Sequence, residues 1–285
     1  MGAKKFVRNL SRLWSTDLSV PLTSSDIDDQ MICELKDRLA RFVVPNVMDR
    51  EETVDYILEK RCSVARFGDG EFEMMRGGSA VFQVPCEALA QKLKEAFVAP
   101  SPNCLPCFYH YYFHSVDHLV EAPFARSYGS RVRQYILSVY NPELVYGDSG
   151  FALGYSSFLD LDYERHYAHL RRIWEDRSIV MVSGQNILHE LDYNLFDNAS
   201  SIDYIDVPRC NAFAGYDDVK ARVVALGANK LVIAACGPMA TVLCNELAGD
   251  GVQALDLGHL AQDYNAYKTG VVRDKTFRRN FWLPD

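Results

Sequence analysis

Apolar residues along this chain recur in short runs whose spacing switches between the helical and the extended period. Near the start, Phe6, Leu10, Leu13 and Trp14 recur at helical intervals among Lys4, Lys5, Arg8 and Arg12, which predicts a basic amphipathic helix over residues 1–15. Thr23-Ser-Ser-Asp26 offers capping oxygens for a helix running to Leu39, and Val44-Pro45-Asn46 breaks it. Another helix is expected around Arg50 to Lys60, with acidic residues in its first turn. From Cys62 onward the pattern alternates. Strands are predicted at 62–67, 178–183, 202–206, about 230–236 and 252–256, a helix at about 86–97, and a mixed aromatic region at 104–146. Apolar, β-branched strands separated by helical stretches imply an α/β fold, a Rossmann-like, mostly parallel sheet with helices on both faces. The expected organisation is an N-terminal helical extension over residues 1–45 and one α/β domain over 46–285.

Composition narrows the class. At 285 residues the chain can bury one large core, and 48% hydrophobic with 24% charged residues leaves no reason to expect disorder beyond the termini. A formal charge of -8, with no basic stripe in the body of the chain, argues against a nucleic-acid surface. Eight scattered cysteines, several in apolar contexts such as Cys236 and Cys244, read as reduced thiols. Cys104-Leu-Pro-Cys107 has CxxC spacing, but no second pair follows, so loop cysteines are expected there. No run is long enough to span a membrane and no secretory leader is evident, which makes a cytoplasmic protein the expectation; the basic segment 1–15 could still touch an anionic membrane surface.

The chemistry concentrates after the first predicted strand of the α/β region. Ser63-Val-Ala-Arg-Phe-Gly-Asp-Gly-Glu-Phe72 ends in a loop holding Arg66, Asp69 and Glu71, with glycines at 68 and 70. Two carboxylates on an extended, glycine-freed backbone can converge on a hard divalent cation, and the arginine can answer phosphate charge. Ser178-Ile-Val-Met-Val-Ser-Gly-Gln-Asn186 is a strand whose end at Ser183 and Gly184 could present backbone amides at a helix N-terminus. Gly237-Pro238 is a tight turn opening a helix with Thr241 in its first turn, and Asp256 and His259 close another strand. All of these residues fall just after predicted strands, where ligands sit in parallel sheets. The run Phe108-Tyr-His-Tyr-Tyr-Phe-His114 could stack on sugar rings or fill the core.

Together these segments resemble the GT-D-type glycosyltransferases, first catalogued as a domain of unknown function and marked by an Asp-X-Glu motif in an Arg-Phe-Gly-Asp-Gly-Glu-like loop. The resemblance runs from about Asp55 to Tyr267 and is strongest at 63–72, 178–184, 208–216 and 231–264. It implies a GT-D-type fold and transfer of a hexose, most simply glucose, from a UDP-sugar to a glycan on a protein or lipid. It also implies Mn²⁺ or Mg²⁺ held by Glu71 and His259, with Asp69 binding the ion directly, through water, or contacting the sugar nucleotide. Pro208-Arg-Cys-Asn-Ala-Phe-Ala-Gly-Tyr216 matches a family segment that makes Asn211 a candidate for the nucleotide or sugar, alongside Arg66, Gly68, Ser183, Gly184, Gly237 and Pro238. One departure stands out: Tyr146-Gly-Asp-Ser-Gly-Phe-Ala-Leu-Gly-Tyr155 lacks the arginine that the family often carries there.

Residue types leave some roles open. The base that deprotonates an acceptor could be Asp69, Asp148 or Asp256. The same carboxylates and histidine could serve a metal-dependent hydrolase of sugar nucleotides or phosphate esters, or a non-catalytic nucleotide-sugar-binding module. A homo-oligomer is compatible with the sequence.

Overall fold

A computed structural model describes residues 44–114, 118–226 and 229–282. The helices expected over residues 1–15 and up to Leu39, and the membrane contact assigned to the first of them, lie outside the described residues. Eight strands, β1 (Asn46–Val47), β2 (Ser63–Phe67), β3 (Cys104–Phe108), β4 (Val145–Asp148), β5 (Ser178–Gly184), β6 (Ser201–Val207), β7 (Leu231–Ala235) and β8 (Ala254–Asp256), form one sheet in the order β1-β4-β3-β2-β8-β7-β5-β6. Every pairing among them is parallel. The five strands predicted from β-branched runs all appear, within two residues of their expected bounds. Those that periodicity missed, β1, β3 and β4, are short or carry residues that disguise them.

The clearest disguise is Cys104-Leu-Pro-Cys107, which is not a loop but most of β3, fully buried between β2 and β4. Proline is rare inside a sheet because it lacks an N–H. Here pairing to β4 begins only at Cys107, one residue past Pro106, so β3 is flanked on both sides only beyond its proline. Burial pushes both the Cys104 and the Cys107 thiols well above the ordinary range.

Nine α-helices are described: α1 (Arg50–Lys60), α2 (Asp69–Met75), α3 (Glu87–Val98), α4 (Ala122–Val139), α5 (Tyr163–Arg171), α6 (Tyr216–Ala225), α7 (Pro238–Gly249), α8 (Leu260–Thr269) and α9 (Lys275–Trp282). Strand side chains alternate between two cores, as the period of two demands. Ala65, Phe67, Val180, Val182, Val232 and Ala234 pack with α2, α3, α4, α6 and α7. Val64, Ile179, Met181, Ile233 and Leu255 pack with α1, α5 and α8 on the opposite face. The side used follows the direction of travel along the sheet. Steps from β2 to β3, β3 to β4, β6 to β7 and β7 to β8 use the first face, and the reverse steps from β1 to β2 and β4 to β5 use the second. A single crossover hand produces this division.

Helix α7 is the inner pillar, buried at every position from Pro238 to Ala248 apart from the half-buried Glu246. Polar residues survive there because they are paired: Asn245 accepts the Ser101 N–H at 2.8 Å, and Thr241 reaches the sheet. Helix α1 is started by a reciprocal cap, with Asp49 accepting the Glu52 N–H and Glu52 accepting the Asp49 N–H, each at 2.9 Å.

Packing is tight where β4 meets β3. A methyl group on Gly147 would stand 2.5 Å from Cys107 Sγ and 2.9 Å from Leu105 Cδ2. Gly147→Ala is therefore expected to destabilise the protein by about 1–3 kcal/mol in urea unfolding. Gly215→Ala, where a methyl group meets nothing within 4 Å, should stay within about 0.5 kcal/mol of the parent.

Candidate functional site

Because the sheet is parallel throughout, all its carboxyl ends share one edge. The chain leaves β2 through α2 over one face and leaves the neighbouring β8 through α8 over the other. Adjacent strands whose continuations part in this way leave a crevice above their ends. Arg66, near the end of β2, occupies it with a side chain only 11% exposed. Its Nε donates to the Ser149 carbonyl at 3.2 Å, and Nη1 lies 3.9 Å from Asp256 Oδ1. Gly258 makes room for it: a Cβ there would stand 2.4 Å from Nη1, and its φ of +49° disfavours other residues.

Asp69 and Glu71 do not lie on an extended loop as expected. They form the first turn of α2, with Gly68 as the N-cap at φ -101°, a value open to any residue. Glu71 turns back so that Oε2 accepts the Gly68 N–H at 2.8 Å. Residues two apart on a helix do not face the same way. Glu71 accordingly points inward toward Arg66 and Asp256, whereas Asp69 opens to solvent at the mouth. Tyr109 backs this corner, its Cε2 3.6 Å from where a Gly68 Cβ would stand.

The two distant parts of the chain do meet. Glu71 interacts electrostatically with Asp256, and Arg66 with Asp256, Glu71 and His259. Burial, and next the Asp256 charge, push the Glu71 carboxyl up to about 7. Burial raises Asp256 to about 6, against the pull of Arg66 and of the Thr241 hydroxyl. The Asp69 carboxyl, open to solvent on one side, is raised by partial desolvation from the residues behind it. Burial and then the Arg66 charge lower His259 to about 4, so its imidazole is neutral near pH 7. Burial works against the Arg66 charge, but Asp256, Tyr109 and Glu71 more than offset it and hold its pKa raised.

Asp256 accepts the Gly258 N–H at 3.2 Å, and the single Thr241 hydroxyl proton is shared between the Arg66 carbonyl at 2.8 Å and Asp256 Oδ2 at 3.2 Å. The first turn of α7 thereby braces the crevice. It starts as expected at Gly237, φ +64°, with Pro238 in the first helical position. Ser183 and Gly184 end β5, which β7 separates from β8, roughly 10 Å along the edge. No α-helix begins there. The chain enters a 3₁₀ turn at Leu188–Glu190, and the Gln185 N–H goes to the Val207 carbonyl, so the expected helix-terminal amides are absent at this point.

Asn211 has structural partners of its own. At φ +55° it donates its N–H to the Phe82 carbonyl at 2.8 Å and accepts the Val84 N–H on Oδ1 at 2.9 Å, anchoring the turn at 80–83. Asp148 brackets backbone: Oδ1 accepts the His110 N–H at 3.0 Å and the Gly150 N–H at 2.8 Å, and burial raises its carboxyl to about 6. Of the aromatic run, Phe108 and Tyr112 are core residues and Tyr109 flanks the site. Residue pattern alone missed Phe82, which sits in a turn without periodicity, and Asp263, one helical turn beyond His259. Asp263 fixes the segment after β4 by accepting the N–H groups of Tyr155 at 3.1 Å and Ser156 at 2.7 Å.

Carboxylate oxygens with one neutral imidazole are suitable donors for a hard divalent ion, and two buried acids, Glu71 and Asp256, face one guanidinium. The donor chemistry fits such an ion. Among the described residues, no three His, Cys, Asp or Glu side chains already stand at metal-ligand spacing.

The family model of the glycosyltransferase GT-D fold matches residues 64–281. The chain is 27% identical over 261 residues to glycosyltransferase GlyD of Streptococcus pneumoniae, covering 88% of this chain and 32% of that protein. It is 28% identical over 246 residues to a probable glycosyl transferase, Gly, of Streptococcus gordonii, covering 79% and 33%. It thus spans about a third of the length of these curated relatives. Among solved structures it is similar to a glycosyltransferase of Streptococcus sanguinis (domain of unknown function 1792), with a TM-score of 0.74, 27% identity and coverage of 81% of this chain and 87% of that one. A structure of the same domain, described as having a distinct glycosyltransferase fold, aligns with a TM-score of 0.75 at 27% identity over 84% and 90% of the two chains.

The Asp148 carboxyl yields a pH signature. Its folded pKa of about 6 exceeds the ordinary 3.8, so the fold prefers the protonated form. Its contribution to stability is complete below the ordinary value and is lost as pH rises from about 4 through about 6. Asp148→Asn keeps an oxygen for both amides and stays neutral. Its melting temperature relative to the parent should therefore rise across that interval, by the equivalent of roughly 3 kcal/mol at most; parallel melting curves from pH 4 to 8 check this.

Proposed function

Because the chain belongs to the glycosyltransferase GT-D fold family, we propose that it is a metal-dependent glycosyltransferase. It moves a hexose, most simply glucose, from a UDP-sugar to a hydroxyl of a glycan on a protein or lipid. The observation that carries this reading is the convergence of Arg66, Glu71, Asp256 and His259 on one crevice at the ends of β2 and β8.

Glu71 and His259 would hold Mn²⁺ or Mg²⁺, with Asp69 beside them at the mouth. When bound, the cation supplies charge stabilisation to the departing nucleoside diphosphate. Arg66 contributes a permanent positive charge from beneath, fixed by Ser149 and Asp256 so that it needs no reorganisation during the reaction. As a neutral imidazole, His259 is in the protonation state that a metal ligand needs at neutral pH. The turn after β7, Gly237-Pro238, and the end of β5 at Ser183-Gly184 lie farther along the same edge, and we assign them to the nucleoside end of the donor.

Of the three candidate bases, our reading favours Asp69. Asp148 is bracketed by backbone amides, and Asp256 is pinned beneath Arg66 by Thr241 and Gly258. Asp69 alone among them opens to solvent, where an acceptor hydroxyl would enter, and we assign it as the base. Among the described residues, no helix is long and apolar enough to cross a membrane. Our reading places the enzyme in the cytoplasm, with the basic segment 1–15 able to bring it to the inner membrane face where lipid-linked or surface glycans are built.

Thermal stabilisation by UDP, GDP, ADP and their sugars, each with and without Mn²⁺, tests the donor. Uridine compounds with Mn²⁺ should raise the melting temperature by several degrees, and the others by little. Glu71→Ala and His259→Ala should each lower metal-dependent sugar transfer at least about a hundredfold with the fold retained. Full transfer by both variants removes the assignment. Sugar release without any acceptor would instead make the protein a hydrolase, and UDP-sugar binding without turnover would make it a binding module.

A further inference from the structure

The His259 imidazole is in contact with two aromatic rings contributed by distant parts of the chain. The Phe82 ring centroid lies 5.7 Å from the imidazole at 44°, and the Phe281 centroid lies 5.5 Å away at 39°. Both spacings fall in the range of attractive ring pairs. Neither phenylalanine lies in the alternating strand pattern, and both are held by their own supports. The turn carrying Phe82 is closed by paired bonds, Ala80 N–H to Gln83 O at 3.0 Å and Gln83 N–H to Ala80 O at 3.2 Å, and is tied to Asn211 on both sides of Gln83. That turn also rests on α2 and on the start of α7. A Cβ on Gly70 would lie 3.1 Å from Ala80 Cβ, and one on Gly237 would lie 3.5 Å from Phe82 Cβ. Phe281 belongs to α9, whose first turn is capped by Asp274 Oδ1 accepting the Phe277 N–H at 2.8 Å, and its ring packs on Phe277 at 5.4 Å.

His259 itself is at a place where restraint matters. It follows Gly258, which takes a left-handed φ of +49°, and it is the N-cap residue of α8 without a side-chain cap bond. A side chain on such a corner has several rotamers open unless neighbours exclude them. We infer that Phe82 and Phe281 form an aromatic clamp that positions the His259 imidazole, so that the C-terminal helix α9 is a working part of the candidate site. Both phenylalanines are positioning residues: they act through His259, and Asn211 acts through Phe82. This inference rests on the reading of His259 as an ion-binding side chain, but the clamp itself is a statement about ring contacts and can be tested apart from it.

The test uses the full chain and the variants Phe82→Leu, Phe281→Leu, Phe281→Tyr and His259→Ala. The imidazole proton resonances of His259 are identified by their loss in His259→Ala. Two flanking rings shift them by ring current, and each Leu variant should move them toward the positions of an unshielded histidine, whereas Phe281→Tyr should leave them near the parent's. Binding of Mn²⁺ alone, followed by the loss of the free-ion paramagnetic resonance signal, should weaken at least about fivefold in each Leu variant and recover in Phe281→Tyr. Melting curves confirm that the variants are folded, and Leu keeps most of the buried volume. Unmoved His259 resonances in both folded Leu variants overturn the clamp. If the parent binds no Mn²⁺ while the resonances do move, the clamp stands and the reading of the site as an ion-binding centre fails.

Discussion

A buried guanidinium holds the centre of this protein together. Arg66 sits near the end of β2 with its charge in contact with Asp256 and within the field of Glu71, Tyr109 and His259. Taking such a charge out of water is costly unless it is paired and hydrogen-bonded. Ser149, from the strand end on one side, and Asp256, from the strand on the other, supply those partners. The backbone is shaped around it, since Gly258 leaves the space that any other residue would fill. One guanidinium therefore ties together the ends of β2 and β8 and the segment after β4.

That pairing explains the electrostatics of the crevice. Glu71 and Asp256 share one cation, and burial raises both carboxyls toward neutrality. An additional positive charge is what this arrangement is chemically prepared to accept, which is why the donor set suits a hard cation. Burial, and next the same guanidinium, lower the His259 pKa and keep the imidazole neutral. Charge, metal-binding potential and ring protonation are consequences of a single arrangement.

The sheet supplies the scale on which this arrangement operates. The strand ends at β2, β8, β7 and β5 lie in succession along one edge, and the inner helix α7 reaches two of them through Thr241. Around that rigid row lie less regular pieces: the Phe82 turn anchored by Asn211, the segment after β4 anchored by Asp263, and the C-terminal helix bearing Phe281. A rigid row of strand ends surrounded by loop-borne contacts is the usual division between scaffold and specificity.

The α/β class, the five β-branched strands and the placement of Arg66, Asp69, Glu71, Asp256 and His259 at strand ends were legible in the sequence. Strand periodicity and the turn chemistry of glycine and proline are local, and residues a few positions apart record them. The buried proline strand at Cys104–Phe108, the helical rather than extended setting of Asp69 and Glu71, and the partners of Asn211 were not legible. Each depends on groups far away in the chain: β4 beside Pro106, the attraction of Glu71 to the buried Arg66, and the backbone of residues 82–84 on Asn211. Local spacing determined which residues could carry the chemistry. Only tertiary packing decided which of them face one another, because burial, charge pairing and ring contact are set by neighbours that sequence distance does not reveal.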